Sequence, residues 1–573
     1  MNIYDTYEYD VLVIGSGGAG MRAAVAAQES GAKTVVLSKC LLGKAHTVMA
    51  EGGIAAALAN VDAKDGWQPH FKDTMFGGKY VNDWRMAVIH AKESPEAVRE
   101  LERWGAIFDR TKDGRILQRA FGGHTHPRLC HVGDRTGLEM IRALQDRTVA
   151  LGVEVFTECI VTQLLMDQGA IAGAFGFFKS TGKMFVFRAK AVIISTGGIG
   201  KIWRVTSNSW DCTGDGQALA YNAGAELKDM EFVQFHPTGM VWPPGVKGLL
   251  VTEAVRGEGG LLKNKFGERF MSKYDPKRME LSTRDMVARS INQEIVEGRG
   301  SEHGGVYLDI SHKPAAYVKS KLPSMYQQFM EFADIDITKQ PMEVGPTCHY
   351  TMGGVKVDPE TQESTVKGLF AAGEAAAGLH GGNRLGGNSL SDLLVFGKRA
   401  GISAAAYVKK TNNLLSVDPV KIAQYQKDLV VAFDRPGKET PAAVHRDLQE
   451  VMEANVGIIR HADRLNKALE ALKDLNERYK HIHVDGGIGY NFGWHLYLSL
   501  ASMLSVAEIV TRAALERKES RSAQTREDFP KMDSEWRKKS LIVKKVNGAV
   551  QITTELLPAM PEELRQLLGD EAK

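Results

Sequence analysis

The stretch "YDVLVIGSGGAGMRAAVAAQESGAKTVVLSK", residues 9–39, restricts this chain to few folds. Val11 to Ile14 is a continuous apolar run, as expected of a strand buried on both faces. Gly15, Gly17 and Gly20 follow in G-x-G-x-x-G spacing, and an alanine-rich run predicts a helix to about Ser30. Residues 34–38, "TVVLS", predict the next strand. Alone, the glycine pattern is weak. Set between strand and helix in a unit of ~30 residues, it predicts a Rossmann-like turn seating a dinucleotide pyrophosphate on the helix N-terminus. The second strand closes on Ser38 and Lys39, not on Asp or Glu. The usual acidic contact to the ribose is therefore missing, and the Ser38 hydroxyl is left to make it.

Two further glycine-tipped strands follow. "AKAVIISTGGIG" (189–200) is one, and "GLFAAGEAAAG" (368–378) predicts a strand–turn–helix with Gly373 and Glu374 at its tip. Segments so far apart require a discontinuous nucleotide-binding domain. The expected fold class is α/β, with a discontinuous Rossmann-like dinucleotide-binding domain over 1–240 and 346–412. An α+β capping domain over 241–345 is inserted into it as a lid. A helical domain is expected over 413–517, where Leu448, Val451, Met452, Ile459, Ala462, Leu465, Leu469 and Leu472 fall at helical spacing. The tail, 518–573, reads as a polar loop and then a hairpin around Asn547-Gly548.

A net charge of +3 over 573 residues leaves no nucleic-acid footprint. "MNIYDTYEYDVLVIG" carries no secretory signal, and the longest apolar stretch, 494–506, falls short of the ~20 residues that span a bilayer. A membrane role would therefore need a partner subunit. The five cysteines (Cys40, Cys130, Cys159, Cys212, Cys348) are scattered, with no C-x-x-C, so no metal or iron–sulfur site is expected and a reducing compartment fits.

In "LLGKAHTVMAEGGIAAAL", His46 stands alone among small residues, where a lone histidine ordinarily satisfies a loop carbonyl. Its neighbours along the chain change that reading. The motifs "GSGGAGMRAA", "AHTVMAEGG", "FGGHTHPR", "DRTG", "TGDG", "FVQFHPTG", "VTEAVRGEGG", "TRDMVAR", "PTCHYTMGG" and "HGGNRLGGNSLSDLLVFG" occur in that order. From about residue 8 to 535 the chain resembles the flavoprotein subunit of succinate dehydrogenase and fumarate reductase.

The resemblance implies FAD bound covalently through His46, whose neutral imidazole is a competent nucleophile toward the flavin methyl carbon. It further implies FAD contacts from Gly15, Gly17, Gly18, Ala19, Gly20, Ser38, Lys39, Thr47, Glu51, Gly52, Gly53, Asp215, Glu374, Asn388, Ser389 and Leu390. His236, Thr252, His349 and Arg384 would hold the two carboxylates of succinate or fumarate, with Phe121 against the carbons between them. A dianion suits charge-assisted donors and a guanidinium fork. Arg284 would be the proton donor and acceptor, supplied through Glu253 and Arg256 at i and i+3. Arginine normally stays protonated to above ~12, so this role needs burial, neighbouring cations and a relay. Asp285 and Arg289 would brace Arg284. Implied partners are an iron–sulfur subunit, membrane-anchor subunits of cytochrome b type and a flavinylation assembly factor, with the chain held peripherally on the cytoplasmic face of a bacterial inner membrane.

Three departures bear on direction and detail. "AEGG" carries Glu51 where succinate dehydrogenases commonly have Gln; a carboxylate beside the flavin would favour fumarate reduction. "SRSAQ" ends in Gln524 instead of His, and "GMVWPPGVKG" is longer than usual. L-aspartate oxidase, the rival enzyme, lacks the covalent histidine and typically reads "RLASNSL" where this chain has "RLGGNSL". A non-catalytic electron carrier would not need Arg284, Glu253, Arg256 and both histidines together.

Overall fold

The computed structural model describes residues 4–411 and 413–569. The ends of the expected ranges at 1–3, 412 and 570–573 lie outside them. The largest sheet has the order Glu154–Phe156, Thr34–Leu37, Tyr4–Ile14, Met184–Ile194, Ala170–Phe178, Cys159–Asp167, and Leu369–Ala371 also pairs with Met184–Ile194. The four strands from Glu154–Phe156 to Met184–Ile194 are parallel, and the last two return antiparallel. Val11, Leu12 and Val13 are fully buried, in agreement with their continuous apolar run.

Two helices, Gly18–Glu29 and Asn388–Lys410, cross closely over this sheet. A Cβ at Gly401 would stand 2.2 Å from the Ala23 carbonyl oxygen, and one at Gly397 would stand 2.7 Å from that of Ala19. Backbone meets backbone there, so neither position has room for a side chain. The third glycine tip differs from expectation. Leu369–Ala371 leads into a single 3₁₀ turn, Gly373–Ala375, and Ala376 is extended; the helix starts only at Asn388.

The inserted segment forms the antiparallel sheet Val233–Met240, Met342–Thr351, Val306–Asp309, Leu261–Lys263. Its core joins Met240, Leu262, Val306, Leu308 and Val344. The sheet thus takes in strands on both sides of 241–345, because the pairing partners of the inserted strands lie outside that range.

The helical stripe at 448–472 is broken. Pro441–Asn455 and Ala462–Tyr479 are separate helices, and Ile459–Arg460 between them pairs as a short strand with Thr525–Arg526. The apolar stretch at 494–506 lies in a helix of 25 residues, Phe492–Glu516, apolar and long enough by composition to cross a membrane. Trp494, Leu500, Met503, Val506, Ile509 and Val510 are buried within the protein's largest core, so it packs as an interior helix.

The hairpin forms as expected. Lys539–Val546 and Ala549–Leu556 pair antiparallel around Asn547 and Gly548, both at positive φ (50° and 82°), as a type I′ turn requires. The polar segment before it is largely buried over its first half and exposed over its second. Arg517, Glu519 and Gln524 are fully buried, and Arg517 pairs with Asp229, Glu231 and Glu519. Buried charges persist when paired in this way.

Candidate functional site

A large cavity opens beside the glycine turn. Gly15, Ser16, Gly17, Gly18 and Ala19 line it, with Ser38, Lys39, His46, Thr47, Asp215, Glu374, Arg384, Ser389 and Leu390. Gly17 is extended and Gly18 opens the helix, so amides at the helix N-terminus face the space where an anion is favoured. Gly15 and Gly20 serve the packing of the turn. Gly15 sits at φ +111° with Ser195 O 2.3 Å from where its Cβ would be, and a Cβ at Gly20 would fall 1.9 Å from Gly15 O.

The polar lining fits a dinucleotide. Lys39 Nζ donates to Asp215 at 2.8 Å and to Thr213 and Ser499 at 3.0 Å. Asp215 Oδ1 and Thr196 Oγ1 are buried on this cavity without a protein partner. Buried polar groups are seldom left so, and hydroxyls and amides of a nucleotide would satisfy them. Ser38 shares a 2.5 Å hydrogen bond with Ser16, so its hydroxyl is partly engaged within the protein. Glu374 accepts from the Thr351 amide at 2.9 Å, and burial pushes its carboxyl up to about 7.

His46 begins a 3₁₀ turn, His46–Met49, and not an irregular loop. Its Nδ1 accepts from the Ser209 amide at 3.3 Å, while Nε2 has only a 3.5 Å contact to Asn208 Nδ2. Burial, helped by the Lys201 charge, lowers it to about 4. The ring is therefore neutral at pH 7.

The substrate-binding candidates gather at one end. His349 and Arg384 line the cavity. The His236 ring stands 5.1 Å from that of His349, and His349 Nδ1 is 2.7 Å from Ser207 Oγ. Burial and the surrounding arginines hold both histidines well below their usual range. Arg384 lies over the Tyr350 ring at 4.5 Å and donates to Ser389 Oγ at 3.0 Å. Burial and the neighbouring Arg284 charge bring it down to about 9. His236 Nδ1 and Arg384 Nε are buried without partners, donors and acceptors available to a ligand.

Arg284 opens the helix Arg284–Glu294, and its Nε donates to Glu253 Oε2 at 2.8 Å. Glu253 precedes a short helix that brings Arg256 to 3.6 Å from the same carboxylate. Burial alone would raise the Glu253 carboxyl, but the two guanidiniums hold it below its usual range. Glu253 Oε1 accepts from the Gly122 amide at 2.8 Å, which ties the Phe121 loop to this cluster. The Phe121 ring lies between Gly52 and Gly386, where a Cβ would stand 3.0 Å and 2.4 Å from it. Asp285 pairs with Arg289 at 3.1 Å, and Arg289 donates to Ser522 O at 2.6 Å, so the pair anchors the helix to the buried tail segment.

Some expected cofactor residues do other work. Asn388 Oδ1 accepts from His70 Nε2 at 3.0 Å and its Nδ2 donates to Thr74 Oγ1 at 3.0 Å, so its amide is consumed inside the protein. Gly52 leaves room for Phe121, and Gly53 (φ +124°) sits against the Cys130 carbonyl. Glu51 is off the cavity lining. Its carboxyl lies beside Thr252, and burial, reinforced by Asp134, raises it well above the usual carboxylate range. The expected carboxylate beside the flavin therefore does not face the cavity, and its burial disfavours the charged form. Gln234 and Tyr350 escaped the sequence reading. A glutamine two residues before a candidate histidine, in "FVQFHPTG", was the available signal.

The chain matches known proteins over most of its length. A family model described as FAD binding domain matches residues 10–390, and one described as Fumarate reductase flavoprotein C-term matches residues 445–565. The chain is 46% identical to one of the subunits of the fumarate reductase (CoM/CoB) of Methanothermobacter marburgensis, over 95% of this chain and 98% of that one. It is 38% identical to the succinate dehydrogenase flavoprotein subunit of Rickettsia bellii, over 93% of each. Mycobacterium smegmatis Sdh1, solved in complex with UQ1, is similar at a TM-score of 0.88 and 53% identity, over 97% of this chain and 95% of that one.

Proposed function

The chain belongs to the family of flavoprotein subunits of succinate dehydrogenase and fumarate reductase, and on that premise we propose that it interconverts succinate and fumarate, with succinate oxidation the favoured direction. Bound FAD supplies the two-electron acceptor or donor. His46 would hold it covalently; with Nδ1 accepting from the Ser209 amide, Nε2 is the nitrogen that would form the bond on losing its proton. His236, Thr252, His349 and Arg384 hold the two carboxylates, and Phe121 packs against the carbons between them. Arg284 removes a proton from a substrate carbon in succinate oxidation and returns it in fumarate reduction. Glu253 and Arg256 carry that proton away and resupply it.

The observation that carries this reading is the unbroken contact from Arg384 on the cavity through Gln234 to Arg284, Glu253 and Arg256. Electrons leave through an iron–sulfur partner and reach quinone through a cytochrome b-type anchor, which also holds the chain peripherally at the cytoplasmic face of a bacterial inner membrane. A flavinylation factor assists loading. Glu51, off the cavity lining and buried so that its charged form is disfavoured, weakens the residue-level argument for fumarate reduction, although the Methanothermobacter relative bears that name.

The test uses purified, FAD-loaded protein with a dye acceptor for succinate and a reduced viologen donor for fumarate. Both reactions are expected, with yellow fluorescence retained on a denaturing gel. Absence of both reactions would overturn the reading.

A further inference from the structure

Gln234 makes four hydrogen bonds at the centre of the arginine cluster while 1% exposed. Its Nε2 donates to Asn383 Oδ1 at 2.6 Å and to the Arg384 carbonyl at 2.7 Å. The carbonyl of Arg384 can only accept, so the orientation of the amide is settled by its surroundings. Gln234 Oε1 must then face the other way. It accepts from Arg284 Nη1 at 3.4 Å and from Arg384 Nη2 at 3.1 Å.

One neutral oxygen therefore bridges two guanidiniums, one assigned to the proton and the other to a substrate carboxylate. Like charges so close repel strongly in a buried site. A carboxylate at this position would relieve the repulsion, but it would also cancel charge meant for the ligand. The cluster holds three guanidiniums, those of Arg256, Arg284 and Arg384, and one carboxylate, Glu253. Two positive charges remain, matching a dianion. The carboxylate of Glu280 does not change this balance, because Arg269 takes both of its oxygens.

We propose that Gln234 is a positioning residue that fixes the spacing of Arg284 and Arg384 through one uncharged acceptor, keeping both charges available to a dicarboxylate. The assignment rests on the function proposed above. It predicts different defects for two variants of similar size. Gln234→Glu keeps the shape and the acceptor but adds a negative charge, and like Gln234→Met it loses the two bonds donated to Asn383 and the Arg384 carbonyl. Gln234→Met keeps the charge balance but removes the acceptor.

The experiment measures malonate binding by calorimetry, a dicarboxylate with no CH–CH bond to oxidise, together with the pH dependence of kcat and KM for succinate. All proteins are assayed as holoenzyme, with flavin content and Tm checked. Gln234→Glu should weaken malonate binding and raise KM by roughly tenfold or more, and move the pH midpoint of succinate oxidation upward by about one unit or more. Gln234→Met should lower kcat by about tenfold or more while malonate binding stays within about threefold of wild type. If the Met variant does not hold flavin, the Glu variant alone decides. Equal losses in both variants without a pH shift would mean a merely structural glutamine and overturn the assignment, as would wild-type behaviour in both. A wild-type protein that fails to interconvert succinate and fumarate would instead bring down the underlying reading.

Discussion

Arg284 Nε donates to Glu253 Oε2 at 2.8 Å, and that same oxygen lies 3.6 Å from Arg256 Nη2. The i,i+3 spacing of Glu253 and Arg256 puts both on one side of a single helical turn, and the Arg284 helix is brought against it by the tertiary fold. Arg284→Lys should lower the rate by at least ~10²-fold with little change in malonate affinity. Lysine keeps the charge but cannot contact Glu253 and Gln234 at once. Steady-state kinetics beside calorimetry checks this. An unchanged rate would assign the proton to another group.

His46→Ser should retain FAD through the glycine turn and Asp215 but lose the fluorescent band on a denaturing gel. Succinate oxidation should fall further than fumarate reduction, because the histidyl bond raises the flavin's potential. Undiminished succinate oxidation in that variant would contradict the role given to His46.

Dicarboxylate affinity should fall as pH rises through about 9, where the free enzyme's Arg384 gives up its charge. The sign follows from its lowered value: the guanidinium is charged below that point and neutral above it. His236 and His349 are held well below their usual range, so they contribute no fall in affinity as pH rises from about 6 to 8. Malonate titrations across this range check both statements.

Glu51→Gln should leave the flavin midpoint potential unchanged, since the side chain lies off the cavity lining and its burial disfavours the charged form. Redox titration of both proteins is the measurement. A clear upward shift would mean that Glu51 is ionised in the holoenzyme and would reopen fumarate reduction as the favoured direction.

Gly401→Ala should destabilise the protein by ~1–3 kcal/mol, because its Cβ would meet the Ala23 carbonyl oxygen and push the two helices apart. Gly245→Ala, where a Cβ meets nothing within 4 Å, should change the thermal unfolding midpoint far less. Equal shifts would mean that the helix crossing yields without cost.

The sequence determined what is written in short, contiguous stretches. The nucleotide turn was legible because strand, glycines and helix follow one another within ~30 residues, and the hairpin because Asn547-Gly548 alone meets the backbone demands of its turn. The residues of the arginine cluster were legible only through ordered motifs, each too weak alone. Tertiary structure decided the rest. Asn388 looks like a cofactor contact beside Ser389, yet His70 and Thr74 claim its amide from over 300 positions away in the chain. The start of the tail from Lys518 reads as a polar loop, but Gln524 and Arg521 find their partners Arg460 and Lys79 far off in the chain. Glu51 carries no mark in the sequence of a raised pKa; burial, reinforced by Asp134, is what disfavours its charged form. Local patterns record the conformation a segment prefers, whereas protonation and hydrogen-bond pairing depend on which distant groups the fold brings within a few ångströms.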